Sequence, residues 1–327
     1  MRPKILFTLP TAEAGRSLLA PVADLIIAPD TTFATINRLV GDVDALVVRS
    51  QLPPDLLDRP HRLRGIVRHG TGLDLIPVDS ATAHAVPVAN VPDANAQTVA
   101  EYCIGGFLQL ARQMHVMDRE MRELGWNQAR RHADVAVELH GRTLGIVGVG
   151  SIGRRVAEIG ARGFGMRVLG HQRRLDAIPD TVRPVDLDTL CRESDLISLN
   201  CPLTPQTRGL IDERRLRLMK PTAMIVNAAR GPVIQEGALV RALTEHWIAG
   251  AVIDVFDVQP LPREHPLLTL PNVVLTPHVA GLTVEASARV SRIAAEQVLQ
   301  LLANQCPAHC VNPEIWPRHL ERLRARG

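Results

Sequence analysis

The sequence predicts an α/β protein made of two doubly wound, Rossmann-like domains with parallel sheets. Three observations carry that prediction. Short apolar runs alternate with helical patterns along the whole chain. Several of these runs are apolar throughout, as in strands buried on both faces. One of them leads straight into a glycine-rich turn and a helix. A chain of 327 residues has room for two such domains.

In the first third, residues 5–9, 25–28, 45–48, 65–67 and 86–91 read as strands. A second series follows at 144–147, 167–169, 196–199, 224–226, 251–255 and 273–275. The strand–helix–strand order implies right-handed crossovers and parallel pairing. Two helices flank the second series. Val99, Cys103, Phe107, Leu110, Met114, Met117, Met121 and Leu124 recur every three or four residues, which predicts one helix of roughly 25 residues. Its methionine stripe reads as packing. The other helix spans about 283–303. These helices are expected to join a discontinuous substrate-binding domain, residues 1–97 and 285–327, to a dinucleotide-binding domain inserted at 98–284.

Composition narrows the function. The chain is 46% hydrophobic and 22% charged with a net charge of +3, the profile of a globular protein with no mandate for nucleic acid or membrane. No apolar run approaches the roughly 20 residues of a membrane helix, and the run at 5–9 is too short for a signal-peptide core. Five cysteines, an odd number at irregular spacing, point to free thiols in a reducing cytoplasm. The cluster Cys306, His309, Cys310 lacks a second ligand pair, so no metal site is expected. Of 37 basic residues only Lys4 and Lys220 are lysines. That excess of arginine reads as compositional bias, so position rather than abundance decides which arginines matter.

The cofactor signal is G-x-G-x-x-G at Gly148, Gly150 and Gly153, after an apolar strand and at a helix start. Gly148 permits a tight turn, Gly150 lets the backbone approach a pyrophosphate, and Gly153 allows close helix–strand packing. At the end of the next strand a carboxylate would select NAD(H). The chain instead reads His171, Gln172, Arg173, Arg174, with the nearest acid, Asp176, past the expected point. The two guanidinium groups can hold a ribose 2′-phosphate, so NADP(H) is predicted to be preferred, with NAD(H) use possible.

Four stretches together resemble one family: the glycine turn, residues 201–209, residues 226–231, and residues 251–256 followed by 276–281. Their order and spacing are similar to those of the D-isomer-specific 2-hydroxyacid dehydrogenases, which include phosphoglycerate, glyoxylate/hydroxypyruvate, D-lactate and formate dehydrogenases. The resemblance covers essentially the whole chain. It implies an oxidoreductase moving a hydride between NAD(P)(H) and a small 2-hydroxy or 2-keto acid. It places Ser151, Ile152, Cys201, Pro202, Thr207, Ala228, Asp254, His278 and Gly281 at the cofactor, with Asp254 near the nicotinamide carboxamide. It gives Arg230 and His278 the catalytic positions. Their chemistry suits the task. Arg230 holds carboxylate and carbonyl without losing its charge, and His278 exchanges a proton with the alkoxide.

One position departs from the family. Gln259 stands where a glutamate usually bonds the histidine. It can orient the ring but cannot favour the imidazolium. Three readings follow: keto-acid reduction with an acid-shifted optimum, hydride transfer like that of formate dehydrogenase, or a weakly active dinucleotide-sensing binding protein. On the substrate side, the resemblance puts Thr71 and Gly72 in an anion-binding loop and Asn95 near the active site. Arg68 matches the phosphoglycerate form of that loop and Arg49 a nearby basic position, which implies a dianionic substrate. Cys310 and Asn312 resemble the glyoxylate/hydroxypyruvate branch instead. The resemblance further implies a homodimer, with the helix from Thr98 and the Trp126 region at its interface.

Overall fold

The computed structural model describes residues 2–174 and 178–325, so Asp176 lies outside the described residues. The chain divides into two compact units, Met1–Asn95 with Leu282–Gly327, and Ala96–Gly281.

The first unit holds β1 (Lys4–Phe7), β2 (Asp24–Ile27), β3 (Ala45–Val48), β4 (Gly65–Arg68) and β5 (Val88–Ala89), in the order β2-β1-β3-β4-β5. All neighbours are parallel. Alternation along each strand builds two cores. Leu6, Leu46, Val48 and Ile66 pack on one side. Ile5, Phe7, Val47 and Val67 pack on the other, against Val290, Ala294, Val298 and Leu301 of the helix Val284–Leu302. That helix matches the expected 283–303. Thr283 caps it, its hydroxyl accepting the Ala286 N–H at 3.1 Å. The expected strand 86–91 shrinks to two residues, because Pro87 has no N–H to give to a ladder.

The second unit holds β6 (Thr143–Val147), β7 (Arg167–His171), β8 (Arg183–Pro184), β9 (Leu196–Leu199), β10 (Met224–Asn227), β11 (Gly250–Ile253) and β12 (Val273–Leu275). The order is β12-β11-β10-β9-β6-β7-β8, again all parallel. Ile197, Ile225 and Ala251 fill one face while Leu196, Val226 and Val252 fill the other. These strands read as continuous apolar runs for that reason. The edge strand β8 escapes a sequence reading, being two exposed residues without an apolar run.

One predicted element needs correcting. The single helix of roughly 25 residues is two helices, Ala96–Ala111 and Met114–Glu123. Gln113 between them adopts a left-handed conformation, φ 51°. The apolar spacing continues across the break, so periodicity does not mark it. The methionine stripe does not pack within the chain as expected either. Met114, Met121, Leu124 and Trp126 are exposed, Trp126 by 64%.

In a doubly wound sheet, the crevice for a ligand opens at the strands' C-terminal ends where the strand order reverses. Here those points fall between β1 and β3 in the first unit and between β6 and β9 in the second.

Candidate active site

The turn after β6 is built from its glycines. Gly148 has φ +92°, and a Cβ there would meet the Asn200–Cys201 backbone at 2.8 Å. It therefore lets the β6 and β9 ends approach each other. Gly153 packs the following helix onto the turn, with a Cβ position 2.2 Å from the Gly148 carbonyl oxygen. Gly150 differs: a Cβ there would meet nothing within 4 Å. The space beside it is left open by the protein, at the N-terminus of the helix Ser151–Glu158. The N–H groups and dipole of that first turn favour an anion. A closed turn, an open middle glycine and a helix start fit a dinucleotide pyrophosphate. Ser151 is exposed and Ile152 half-buried in that first turn.

Across the crevice, the loop after β9 carries Cys201, Pro202 and Thr207. The Thr207 hydroxyl donates to the Pro202 carbonyl at 2.7 Å and accepts the Thr204 N–H at 2.7 Å, so it holds the loop's shape. Burial pushes the Cys201 thiol up to about 11, which makes it a protonated packing group rather than a nucleophile. At the end of β7, Gln172 donates to the Arg174 carbonyl at 2.9 Å. Arg173 and Arg174 are exposed.

Arg230 sits in the turn after β10. Buried Asn227 shapes this turn: its side-chain oxygen accepts the Ala229 N–H at 3.1 Å and its nitrogen donates to the Arg230 carbonyl at 3.0 Å. Ala228 lies in the same turn, half-buried. Gly231 follows, and a Cβ there would stand 2.1 Å from the Phe256 carbonyl carbon. The turn after β10 is thus pressed against the loop after β11. Sequence reasoning did not single out Asn227 or Gly231; their place beside Arg230 was the signal available.

The segments after β11 and β12 supply the other two residues, Gln259 and His278. His278 donates from Nδ1 to Gln259 Oε1 at 2.8 Å, and the Gln259 amide nitrogen donates to the Phe256 carbonyl at 3.4 Å. A side-chain oxygen only accepts, so this pairing keeps a proton on Nδ1 and takes no part of Nε2. Both residues are exposed. His278 also has φ 57°, unusual for a residue with a side chain. Asp254, 1% exposed, holds that conformation. Its carboxylate accepts from the Thr276 hydroxyl at 2.5 Å, the Val279 N–H at 2.8 Å and the Ala280 N–H at 2.9 Å. The His278 N–H donates to the Asp254 carbonyl at 2.9 Å. Tyr102 extends the network, its hydroxyl 2.6 Å from that of Thr276. Gly281 ends the segment and the unit. Asp254 was expected near the nicotinamide; in the structure its oxygens shape the loop that carries His278.

In the first unit, Arg49 follows β3, and its guanidinium donates to the Pro10 carbonyl. Arg68 ends β4 and braces its own loop, donating to the carbonyls of Gly72 at 3.0 Å, Val48 at 3.0 Å and His69 at 2.7 Å. The Thr71 hydroxyl donates to Val91 at 3.0 Å. The N–H groups of Thr71 and Gly72 have no acceptor among the described residues, as an anion-binding nest requires. Asn95 is the last residue before the helix Ala96–Ala111.

Comparison with known proteins agrees with this architecture. Residues 104–280 match the family model described as D-isomer specific 2-hydroxyacid dehydrogenase, NAD binding domain. The glyoxylate reductase of Thermofilum pendens is 36% identical over 99% of this chain and 98% of its own. The D-3-phosphoglycerate dehydrogenase of Methanocaldococcus jannaschii is 37% identical over 98% of this chain, which spans 62% of that relative's length. Among solved structures, the NADPH-dependent glyoxylate/hydroxypyruvate reductase of Sinorhizobium meliloti, with NADP and malonate, gives a TM-score of 0.84 at 27% identity, covering 95% of this chain and 97% of that one. An acyclic imino acid reductase in complex with NADPH gives 0.86 at 27% identity, covering 94% and 99%. The motif resemblance and the fold class are borne out: the chain belongs to the D-isomer specific 2-hydroxyacid dehydrogenase family and is an NAD(P)-dependent oxidoreductase acting on CH–OH donors.

Proposed function

We propose that this enzyme reduces small 2-keto acids to D-2-hydroxy acids with NADPH, through Arg230 and His278. The observation that carries the reading is the His278–Gln259 pair of 2.8 Å beside the Arg230 turn, on the loops at the strand ends of the nucleotide-binding unit. When bound, the cofactor supplies the hydride. Its pyrophosphate is held by the turn at Gly148, Gly150 and Gly153 with the start of the helix Ser151–Glu158, and its 2′-phosphate by Arg173 and Arg174. Gln172, Cys201, Pro202, Thr207, Ala228 and Gly281 line the cofactor.

Arg230 draws the keto oxygen and carboxylate into place by paired, charged hydrogen bonds, and it stabilises the negative charge that grows on the oxygen. His278 gives its Nε2 proton to that oxygen and recovers it from water. Gln259 fixes the ring's tautomer without adding the negative charge by which a carboxylate favours the imidazolium. Reduction is therefore fastest on the acid side. Asp254 is a positioning residue for His278. The first unit's loop, with Thr71, Gly72 and Asn95, receives the substrate carboxylate, and Arg49 and Arg68 favour substrates with a second negative charge.

We further propose that the enzyme is a homodimer and works in the cytoplasm. The uncovered apolar residues Met114, Met121, Leu124 and Trp126 support the first, and five free cysteines the second. The catalytic reading is tested by following NADPH and NADH oxidation with glyoxylate, hydroxypyruvate, phosphohydroxypyruvate and related keto acids from acidic to neutral pH. Turnover with at least one acid and a higher kcat/KM for NADPH is expected. Equal use of the two cofactors, or an NADH advantage, removes the Arg173 and Arg174 assignment. Tight cofactor binding with no turnover on the panel makes the protein a dinucleotide-binding module instead.

A further inference from the structure

Glu236 has no part in the chemistry given to Arg230 and His278, yet its carboxylate reaches the segment that carries Gln259. It opens the helix Glu236–Thr244. Its Oε2 accepts the Asp257 N–H at 3.2 Å, and its Oε1 lies 2.9 Å from His265 Nε2. The Leu267 N–H donates to His265 Nδ1 at 3.3 Å, at the start of the helical turn Pro266–Thr269. With Nδ1 accepting, the ring's proton sits on Nε2 and is donated to Glu236. The carboxylate thus receives two N–H groups, one from the loop after β11 and one from the segment before β12. It does so beside a second acid. Desolvation, and after it the Glu236 carboxylate, pushes the Asp257 carboxyl above its ordinary value, against the opposing effect of Arg208 and His265.

The Asp257 N–H and the Phe256 carbonyl belong to one planar peptide unit, so fixing the direction of one fixes the other. That carbonyl accepts the Gln259 side-chain nitrogen at 3.4 Å, and Gln259 Oε1 accepts from His278 Nδ1 at 2.8 Å. Hydrogen bonds therefore run in series from His265 through Glu236, the 256–257 peptide and the Gln259 amide to the His278 ring. The series matters more for a glutamine than it would for a glutamate. A carboxylate offers an acceptor whichever way it turns. An amide turned over offers its nitrogen, a donor, and His278 Nδ1 would then have to accept. The neutral ring would carry its proton on Nε2 instead, and the imidazolium, protonated on both nitrogens, would face a donor and be disfavoured.

We propose that Glu236, held by His265, is a positioning residue for the reaction: through the 256–257 peptide it fixes which end of the Gln259 amide meets His278, and so the tautomer of His278. This inference rests on His278 as the proton donor of the keto-acid reductase reading and names what keeps that ring in the competent form.

The test measures kcat, KM and pH–rate profiles of NADPH-dependent keto-acid reduction in the wild type, Glu236→Ala, Glu236→Gln and Glu236→Ala combined with Gln259→Glu, each well below its Tm. Glu236→Ala should lower kcat about tenfold with KM nearly unchanged, and move the falling limb of the profile to lower pH. Glu236→Gln, which keeps an acceptor for the Asp257 N–H, should recover part of the loss. In the Gln259→Glu background, Glu236→Ala should cost less than about twofold, because a carboxylate has no donor end to present. Equal losses in both backgrounds, or an unmoved pH profile, would mean a structural role and overturn the proposal. Should Glu236→Ala not fold, His265→Ala carries the same comparison with a smaller loss. Ring-nitrogen NMR adds a readout independent of turnover. The neutral His278 ring, identified by its absence in His278→Asn, should carry its proton on Nδ1 in the wild type and be divided between the two nitrogens in Glu236→Ala. A proton that stays on Nδ1 in Glu236→Ala overturns the proposal. If no acid is turned over, the reductase reading fails, and the NMR comparison alone decides the role of Glu236.

Discussion

The two units share one plan and differ in what their crevices offer. Each is a parallel sheet whose order reverses next to its first strand, β1 against β3 and β6 against β9. In the nucleotide-binding unit the strand ends meet through glycine: Gly148 and Gly153 close the turn, and Gly150 leaves room. In the first unit a side chain joins the corresponding strand ends: Thr8 Oγ1 accepts the N–H groups of Arg49 at 2.9 Å and Ser50 at 3.1 Å. Architecture decides where a ligand is taken up. The few residues after each strand decide whether main-chain N–H groups or side-chain donors receive it.

The largest expected effect breaks the glycine side of this contrast. Gly153→Val places a branched side chain where even a Cβ is 2.2 Å from the Gly148 carbonyl. NADPH affinity, read by fluorescence titration, should fall at least about a hundredfold, with a lower Tm. Gly150→Ala meets no protein atom, so its Tm should hold while NADPH affinity drops roughly tenfold or more. If Gly150→Ala binds NADPH normally, the open space is not the pyrophosphate site.

A smaller effect concerns the first unit. The unfolded chain takes up a proton on His69 near pH 6.5, whereas the folded chain does so only near 3. Stability is therefore complete above the unfolded value and lost as pH falls from there towards 3. Between pH 7 and pH 5 the loss attributable to this residue is about 2 kcal/mol. His69→Asn should lose correspondingly less stability over that interval in urea titrations. An unchanged pH dependence would show that the ring is not held neutral.

The contrast also explains what the sequence made legible. The strand–turn–helix at Gly148 is local and its strands are buried on both faces, so spacing alone exposes it. Arg230, Asp254 and His278 are carried by separated but recognisable motifs at three strand ends. The side-chain contacts at the strand ends of the first unit have no such signature. His69, after β4, has its Nε2 2.8 Å from the hydroxyl of Ser291, 222 residues further along the chain. The break at Gln113 was hidden because the apolar rhythm continues through it. Arg68, chosen as an anion ligand, also braces its own loop, because its guanidinium comes within reach of three carbonyls only once β3 and β4 pair.

The account depends most on His278 acting as proton donor with an uncharged partner. Its direct test is the pH–rate profile of NADPH-dependent keto-acid reduction in the wild type and in Gln259→Glu. The account predicts that the wild-type rate falls as pH rises towards neutral. The carboxylate of the variant should extend activity upward by about one pH unit and raise it near neutrality. Superimposable profiles would contradict the account, because the partner of Nδ1 would then have no influence on the proton that His278 delivers.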